Sequence, residues 1–273
     1  MSNKPLVSII IPTKNEEKNI EVCLKSIKSQ AYRKIETIVV DNNSIDKTKE
    51  IAGKYTKLVF NKGPERSAQR NYGAKKSKGK YLIHIDCDMK LMPELVSESV
   101  RLLEKGFDAL VIPERSFGST FWARCKSLEK SFYEGNPNIE SIRVIKKSKY
   151  IKLGGHDPEL VFSEDKDLDL RARAAGLKIG RTQSLVLHNE GKATLLGMLR
   201  KKMLYSQTGE KFANKHPEAF RWQANIFNRY IIFLKNFRVI FSDPLVYIGL
   251  IFLKSLEFIA GATVYLKYSL KNE

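Results

Sequence analysis

Cysteine is scarce: three in 273 residues, Cys23, Cys87 and Cys125, with no Cys-x-x-Cys pair. Such spacing excludes a disulfide-stapled scaffold and a cysteine-based zinc site, and points to a reducing compartment. Acidic residues are outnumbered, 30 Asp+Glu against 48 Lys+Arg, so the formal net charge is +18. That excess calls for a polyanionic partner: nucleic acid, an anionic membrane surface or a phosphorylated substrate. Glycine is missing from the loop after the first apolar run, Pro12-Thr13-Lys14-Asn15-Glu16. Neither a P-loop nor a dinucleotide fingerprint can be built there, which removes most NTPase and dehydrogenase readings. The first apolar run is broken too soon, by Pro12 and then charge, to serve as a secretory signal. Internal repeats and low-complexity tracts are also absent. With 42% hydrophobic and 29% charged residues the chain can bury a sizeable core, and disorder is not expected.

Short β-type runs alternate with helical patterns through the first half. Leu6–Ile11, Ile35–Val40, Leu58–Phe60 and Lys80–Ile85 read as strands. Between them, helices are predicted over Glu16–Ser29, Lys47–Gly53 and Ser67–Ser77, and another follows from Pro93 to Lys105. This order predicts an α/β fold with a mostly parallel, doubly wound sheet. The stretch from Phe107 to Gly155 is less regular, with a strand expected at Ala109–Ile112 and a helix at Phe121–Tyr133. A helix over Glu164–Ala175, stopped by Gly176, and a short strand at Leu185–Leu187 follow.

Three of the predicted strands end in polar clusters, and open α/β sheets bind ligands beyond the carboxyl ends of their strands. Asp86 and Asp88 flank one residue after an apolar strand, so both can turn toward one Mg²⁺ or Mn²⁺ ion holding a diphosphate. Asp41 is either a helix cap or an acceptor for a base or ribose. Arg66, Arg70 and Lys75 form either a solvated basic face or a guanidinium contact to a diphosphate. Glu164 and Asp165 open a helix, where acids suit the dipole, yet one of them could act as general base on a hydroxyl. Gly154-Gly155 just before would make a tight turn, bringing backbone near a ligand. His188 could complete a metal site with Asp86 and Asp88, or be structural.

The tail is distinct. Ile226–Phe241 is mostly apolar, and Leu245–Leu266 runs 22 residues with only Lys254 and Glu257 charged. Those two charges weigh against a spanning helix, although their i,i+3 spacing lets them pair. A core hairpin, a helix pair lying in or dipping into the bilayer interface, and a spanning helix are the three readings, and the flanking basic residues favour the interface.

Taken together, VSIIIPTKNEE, IVVDNNSIDKT, SAQRNYGAKKSKGKYLIHIDCD, GGHDPEL and SEDKDLDLRARAAG resemble the family-2 glycosyltransferases, from Val7 to His188, about two-thirds of the chain. The resemblance implies the GT-A nucleotide-diphospho-sugar transferase fold and inverting transfer from a nucleotide-diphosphate donor, aided by Mn²⁺ or Mg²⁺. On that likeness Pro12, Thr13, Glu16 and Asp41 contact the nucleoside, and Arg70 and Asp86 the donor diphosphate. Asp86, Asp88 and, less firmly, His188 hold the metal, and Asp165 is the base with Glu164 beside it. The family often writes its DxD with Ser, Ala or Gly in the middle; Cys87 departs slightly but is small. The tail looks like the membrane-associating C-termini of members acting on lipid-linked or surface-glycan acceptors.

The expected organisation is a catalytic domain over 1–190, with a nucleotide-sugar half to about 90 and an acceptor half from 91. A basic helical segment over 191–225 and membrane-attaching helices over 226–273 complete it. The expected location is the cytoplasmic face of the cell membrane. Two rivals are a sugar-phosphate nucleotidyltransferase, which normally needs the missing glycine loop, and a basic nucleic-acid-binding module. The latter has no use for acids at strand ends, so no nucleic-acid partner is expected.

Overall fold

The computed structural model describes residues 4–161, 163–206 and 209–269. Residues 1–3 and 270–273 of the predicted first domain and tail lie outside these. Two compact units emerge from the contacts: residues 1–113, 141–158 and 164–188, and residues 114–140, 159–163 and 189–273.

The first unit opens with strand β1 (Val7–Thr13), helix α1 (Ile20–Lys28), strand β2 (Ile35–Asp41) and helix α2 (Thr48–Gly53). Strand β3 (Val59–Asn61), helix α3 (Arg66–Lys76) and strand β4 (Tyr81–His84) follow. Next come β5 (Met89–Leu91), α4 (Leu95–Glu104) and β6 (Ala109–Val111). The second unit then supplies strand β7 (Glu114–Phe117) and helix α5 (Phe121–Phe132). The chain returns to the first unit with β8 (Ile142–Lys146), α6 (Lys147–Lys152), α7 (Glu164–Ala174), β9 (Ile179–Arg181) and β10 (Val186–Asn189). Seven strands form the main sheet in the order β3-β2-β1-β4-β8-β6-β9. Strands β1 to β4 run parallel, as do β6 and β9, while β8 is antiparallel to both neighbours.

Both faces of this sheet are covered, which is why β1 is buried at every residue and reads as a continuous apolar run. Ile9, Ile11, Val39 and Ile83 pack on one side with Ile20, Leu24 and Leu95. Ile10, Leu82 and Ile145 pack on the other with Ala74, Tyr150 and Leu168. The chain winds outward from β1 through β2 to β3 and then returns to β4 on the other side of β1. The crevice beyond the carboxyl ends of β1 and β4 is thus a topological switch point. It is where Pro12-Thr13 and Asp86-Cys87-Asp88 sit.

The parallel sheet was legible in the sequence; β8 was not. It falls in the stretch read as irregular, and pairing two strands distant in sequence leaves no local periodic signal. Strands β5, β9 and β7, three or four residues each, are likewise too short to show a period.

The second unit continues with α8 (Leu195–Ser206), α9 (Gly209–Lys215), α10 (Pro217–Ala224) and α11 (Ile226–Lys235). A 3-10 turn (Phe237–Phe241) and the long α12 (Pro244–Ser269) close it. Helix α5 packs on this C-terminal segment. Cys125 and Tyr133 form a core with Phe233, Val246, Leu250 and Leu253. Grouping by contacts therefore places residues 114–140 with 189–273, a division the linear sequence boundaries do not follow. Helix α12 also explains its own charges. Lys254 pairs with Glu257 and Glu129, and Lys126 with Glu129 at 2.7 Å and Glu257 at 3.4 Å. Over Pro244–Lys267 the helix is long and apolar enough to cross a membrane by length and composition, with mean hydropathy 1.8.

Candidate active site

The loops after β1 and β2 are stitched together by polar side chains. Asn15 N–H donates to Ser44 Oγ at 2.8 Å, Ile45 N–H to Asn15 Oδ1 at 3.0 Å and Glu16 N–H to Thr48 Oγ1 at 2.7 Å. Asn15 and Asn43 both take left-handed backbone, φ 54° and 52°, which asparagine tolerates better than most residues. Asp41 is fully buried at the end of β2. Its Oδ1 accepts from the hydroxyls of Thr13 at 3.0 Å and Ser44 at 2.5 Å, and its Oδ2 from Ser44 N–H at 2.8 Å. In this structure Asp41 organises the Thr13 and Ser44 loops from below.

One guanidinium governs the next layer. Arg70 lies on α3, turned beneath the carboxyl edge of the sheet and wholly buried. Its Nη1 donates to Glu164 Oε1 and Asp165 Oδ1, both at 2.9 Å, and its Nη2 to Asp86 Oδ1 at 2.7 Å. Four predicted site residues, from α3, the β4 end and the start of α7, are thereby brought together. Burial alone would favour a neutral Arg70, but Asp165, Asp86 and Glu164 outweigh it and hold it charged. The same balance sets the acids. Burial would raise Asp86, yet Arg70 and Arg143 drive it far below the ordinary carboxylate range. Burial would raise Asp165 too, but Arg70 and the His156 hydrogen bond keep it well below that range. Glu164 moves the other way, raised by burial and by the charge of Asp165 beside it.

Because Arg70 is enclosed by carboxylates, its place is under the site rather than on its open face. Arg66 and Arg143 are the cations nearer the surface. Arg66 Nε lies 3.6 Å from Glu164 Oε1, and Arg143 Nη1 lies 3.4 Å from Asp86 Oδ2.

Asp86 and Asp88 diverge. Asp86 faces the arginines, whereas Asp88 Oδ2 lies 3.1 Å from His188 Nε2, brought near by the antiparallel pairing of β10 with β5. Asp88 Oδ1 is buried with no hydrogen-bond partner. Among the described residues no three His, Cys, Asp or Glu side chains converge as a ready metal cage. Asp88 and His188 do fit a divalent ion. An unpaired buried carboxylate oxygen beside an imidazole leaves the remaining positions to water and phosphate, as Mg²⁺ and Mn²⁺ sites in nucleotide enzymes often do. The three thiols are free and buried, and Cys125 is pushed up to about 11 by burial, so none is poised as a nucleophile.

Two residues near the acids were not singled out in the sequence: Arg143, and His156, whose Nε2 lies 3.1 Å from Asp165 Oδ1. Arg143 sits in the unrecognised strand β8. His156 sits inside GGHDPEL, where the signal was a polar aromatic directly after two glycines. Those glycines have φ of 79° and 74°, and a Cβ on Gly155 would come 2.5 Å from Asn71 Oδ1. The tight turn expected there exists, and it brings backbone against Asn71.

This fold is that of the GT-A glycosyltransferases. The glycosyl transferase family 2 model matches residues 8–157, more than half of the chain, and the chain belongs to that family. It is 41% identical over 96 residues to the glycosyltransferase AglE of Haloferax volcanii, a match covering 32% of each chain. It is 27% identical over 113 residues to the Campylobacter jejuni GalNAc(5)-diNAcBac-PP-undecaprenol beta-1,3-glucosyltransferase, covering 38% of this chain and 36% of that one. The match thus spans about a third of the length of each relative. Among solved structures, the mannosyltransferase PcManGT of Pyrobaculum calidifontis, in complex with GDP-Man and Mn²⁺, superposes with a TM-score of 0.71 at 15% identity. That superposition covers 97% of this chain and 88% of that one, and it establishes the GT-A fold.

Proposed function

We propose that the chain is an inverting glycosyltransferase, moving a sugar from a nucleotide-diphosphate donor to a hydroxyl acceptor. The observation that carries this reading is the convergence of Asp86, Glu164 and Asp165 on the buried Arg70 at the switch point of the sheet. Family membership and the GT-A fold support it. Pro12, Thr13 and Glu16 frame the nucleoside, with Asp41 acting through the Thr13 and Ser44 hydroxyls it fixes.

Asp88 and His188 would hold Mn²⁺ or Mg²⁺, with Asp86 at the same strand end. When bound, the ion supplies charge neutralisation for the departing nucleoside diphosphate. Asp165 is the general base. It is ionised at neutral pH, in the form that accepts a proton. The acceptor O–H proton passes to Asp165 as the acceptor oxygen bonds the anomeric carbon. The bond from that carbon to the diphosphate oxygen breaks, and its electron pair leaves with the nucleoside diphosphate. One displacement inverts the centre, so no protein nucleophile is required.

The acceptor is a lipid-linked or membrane-proximal glycan, and the protein works at an anionic membrane surface on its cytoplasmic face. The Campylobacter relative's undecaprenol-linked substrate supports this, as do exposed Phe227, Phe237, Phe241, Leu245 and Phe252 in a chain of +18 charge. The deciding experiment incubates the full chain with a panel of nucleotide sugars, GDP-mannose and UDP-N-acetylglucosamine first, and Mn²⁺. Metal-dependent release of nucleoside diphosphate is expected; its absence across the panel refutes the assignment.

A further inference from the structure

Asp165 presents its two oxygens differently. Oδ1 lies 2.9 Å from Arg70 Nη1 and 3.1 Å from His156 Nε2, and neither contact uses Oδ2. The carboxylate is partly exposed, 27%, whereas Arg70 and His156 are enclosed at 0% and 1%. We propose that His156 is the positioning residue of the general base, donating its Nε2–H to Asp165 Oδ1 so that Oδ2 alone is presented to the acceptor hydroxyl. This rests on the reading of Asp165 as base.

The imidazole is held from every side. Asn71 pairs with the His156 backbone at two points, its Nδ2 donating to the carbonyl at 2.7 Å and its Oδ1 accepting the N–H at 2.9 Å. That approach is possible because residue 155 is glycine. Tyr150 OH lies 2.7 Å from Nδ1, and the His84 ring meets the His156 ring edge-on at 5.0 Å.

The tautomer follows. Burial, with Arg70 and Arg171 adding to it, keeps His156 neutral against the pull of Asp165. A neutral ring facing an ionised carboxylate must carry its proton on Nε2, because a bare Nε2 would set lone pair against lone pair. Nδ1 is then the acceptor, 2.7 Å from the Tyr150 hydroxyl, whose single proton is shared between Nδ1 and Asn71 Oδ1 at 2.6 Å. With Arg70 and His156 both on Oδ1, rotation of the carboxylate about its last bond would break two hydrogen bonds at once. A proton arriving on Oδ2 leaves both in place, so the base is held before and after the transfer.

The test compares His156→Phe, which keeps the ring packing but removes both nitrogens, with His156→Gln, which restores a donor near Nε2. Asp165→Asn and the His156→Phe/Asp165→Asn double variant complete the set. The readout is Mn²⁺-dependent turnover of GDP-mannose or UDP-N-acetylglucosamine, with donor affinity measured by calorimetry. His156→Phe is expected to lower kcat by about 10- to 100-fold, the scale of a misplaced reacting group, at unchanged donor affinity. The acidic limb of its pH–rate profile moves to higher pH, since one donor to Asp165 is gone while Arg70, Arg143, Glu164 and Asp86 remain around it. His156→Gln recovers most of the rate, and His156→Phe adds no further loss on top of Asp165→Asn.

Wild-type kcat with an unmoved acidic limb in His156→Phe overturns the inference. So does a loss of rate that persists undiminished in the Asp165→Asn background. Full activity in Asp165→Asn alone instead removes the base assignment beneath it. A His156→Phe protein that loses donor affinity as well as rate, without rescue by Gln, marks a structural role and also overturns it.

Discussion

Replacing Arg70 by Met removes one buried cation from three carboxylates while roughly filling its volume. Breaking a buried ion pair by deleting one partner costs about 3–5 kcal/mol, because the charge left behind stays desolvated. The structure offers an independent route to the same figure. Without Arg70, adjacent Glu164 and Asp165 cannot both stay ionised at their present burial, so one takes up a proton. At pH 7 that proton costs about 1.4 kcal/mol for each unit above an ordinary carboxylate pKa near 4, or about 4 kcal/mol. At pH 5.5 the same proton costs about 2 kcal/mol. The sign is the test. In the wild type Asp86 and Asp165 are depressed, so they add stability above the ordinary carboxylate range and lose it as pH falls through their folded values. Between pH 7 and 5.5 that contribution is constant, whereas the cost of the added proton in Arg70→Met falls, so the gap between the proteins narrows on acidification. Urea unfolding of both proteins at pH 7 and pH 5.5, followed by circular dichroism, measures it. A loss below about 1 kcal/mol, or one of equal size at both pH values, would refute an Arg70-centred site.

Asp88→Ala should abolish Mn²⁺-dependent binding of the donor while leaving the melting curve unchanged; calorimetry that finds metal-enhanced affinity intact would move the metal elsewhere. His84 is buried with neither ring nitrogen hydrogen-bonded, and burial, with His156 and Arg70 nearby, holds its pKa well below the usual 6.5. The wild type must therefore lose stability as pH falls below the ordinary histidine value, where only the unfolded chain takes up the proton. His84→Phe should flatten that decline by about 1.2 kcal/mol in total in urea titrations between pH 7 and 5.5, and an unchanged slope would count against it. Phe241 is 81% exposed and Phe237 50%. Changing both to Glu should weaken cosedimentation with phosphatidylglycerol vesicles at least about tenfold while sparing donor turnover, and equal cosedimentation would leave the tail as plain protein surface.

The parallel half of the sheet was readable because each strand is both short and apolar, and because glycine, proline and aspartate punctuate it. Asp86, Asp88, Glu164 and Asp165 were readable for a related reason: an acid directly after an apolar run, or opening a helix, occupies an end, and ends are where α/β sites lie. What stayed hidden depends on contacts between elements far apart in sequence. Arg70 was read as a solvated cation or a diphosphate contact, and only the meeting of α3 with α7 and the β4 end reveals it as buried. His156 was invisible as a functional residue because its partners, Tyr150, Asn71 and Asp165, span residues 71 to 165. The division of Asp86 from Asp88 likewise depends on β10 arriving beside β5.

The charges of the tail follow from the same logic. Lys254 and Glu257 interrupt the one long apolar run, and at i,i+3 they can satisfy only each other. In the folded second unit they do more. Lys126 and Glu129, also i,i+3 on α5, meet them so that each cation contacts both carboxylates. Facing pairs of this kind fix rotation and register between two otherwise apolar helices, since sliding either helix by a residue would leave a buried charge unpaired. Elsewhere along the contact Gly249 is pressed against Phe121 and Cys125 so closely that a Cβ would come 2.5 Å from the Phe121 ring. One side of α12 is thereby committed to α5. The apolar residues left over, Leu245, Ile248, Phe252, Ile259 and Leu266, are exposed. A helix tied to α5 by ion pairs, packed also on α8 and carrying an exposed apolar row fits the proposed attachment along a membrane surface better than a free span, in which those four charges would have to part or enter the bilayer together.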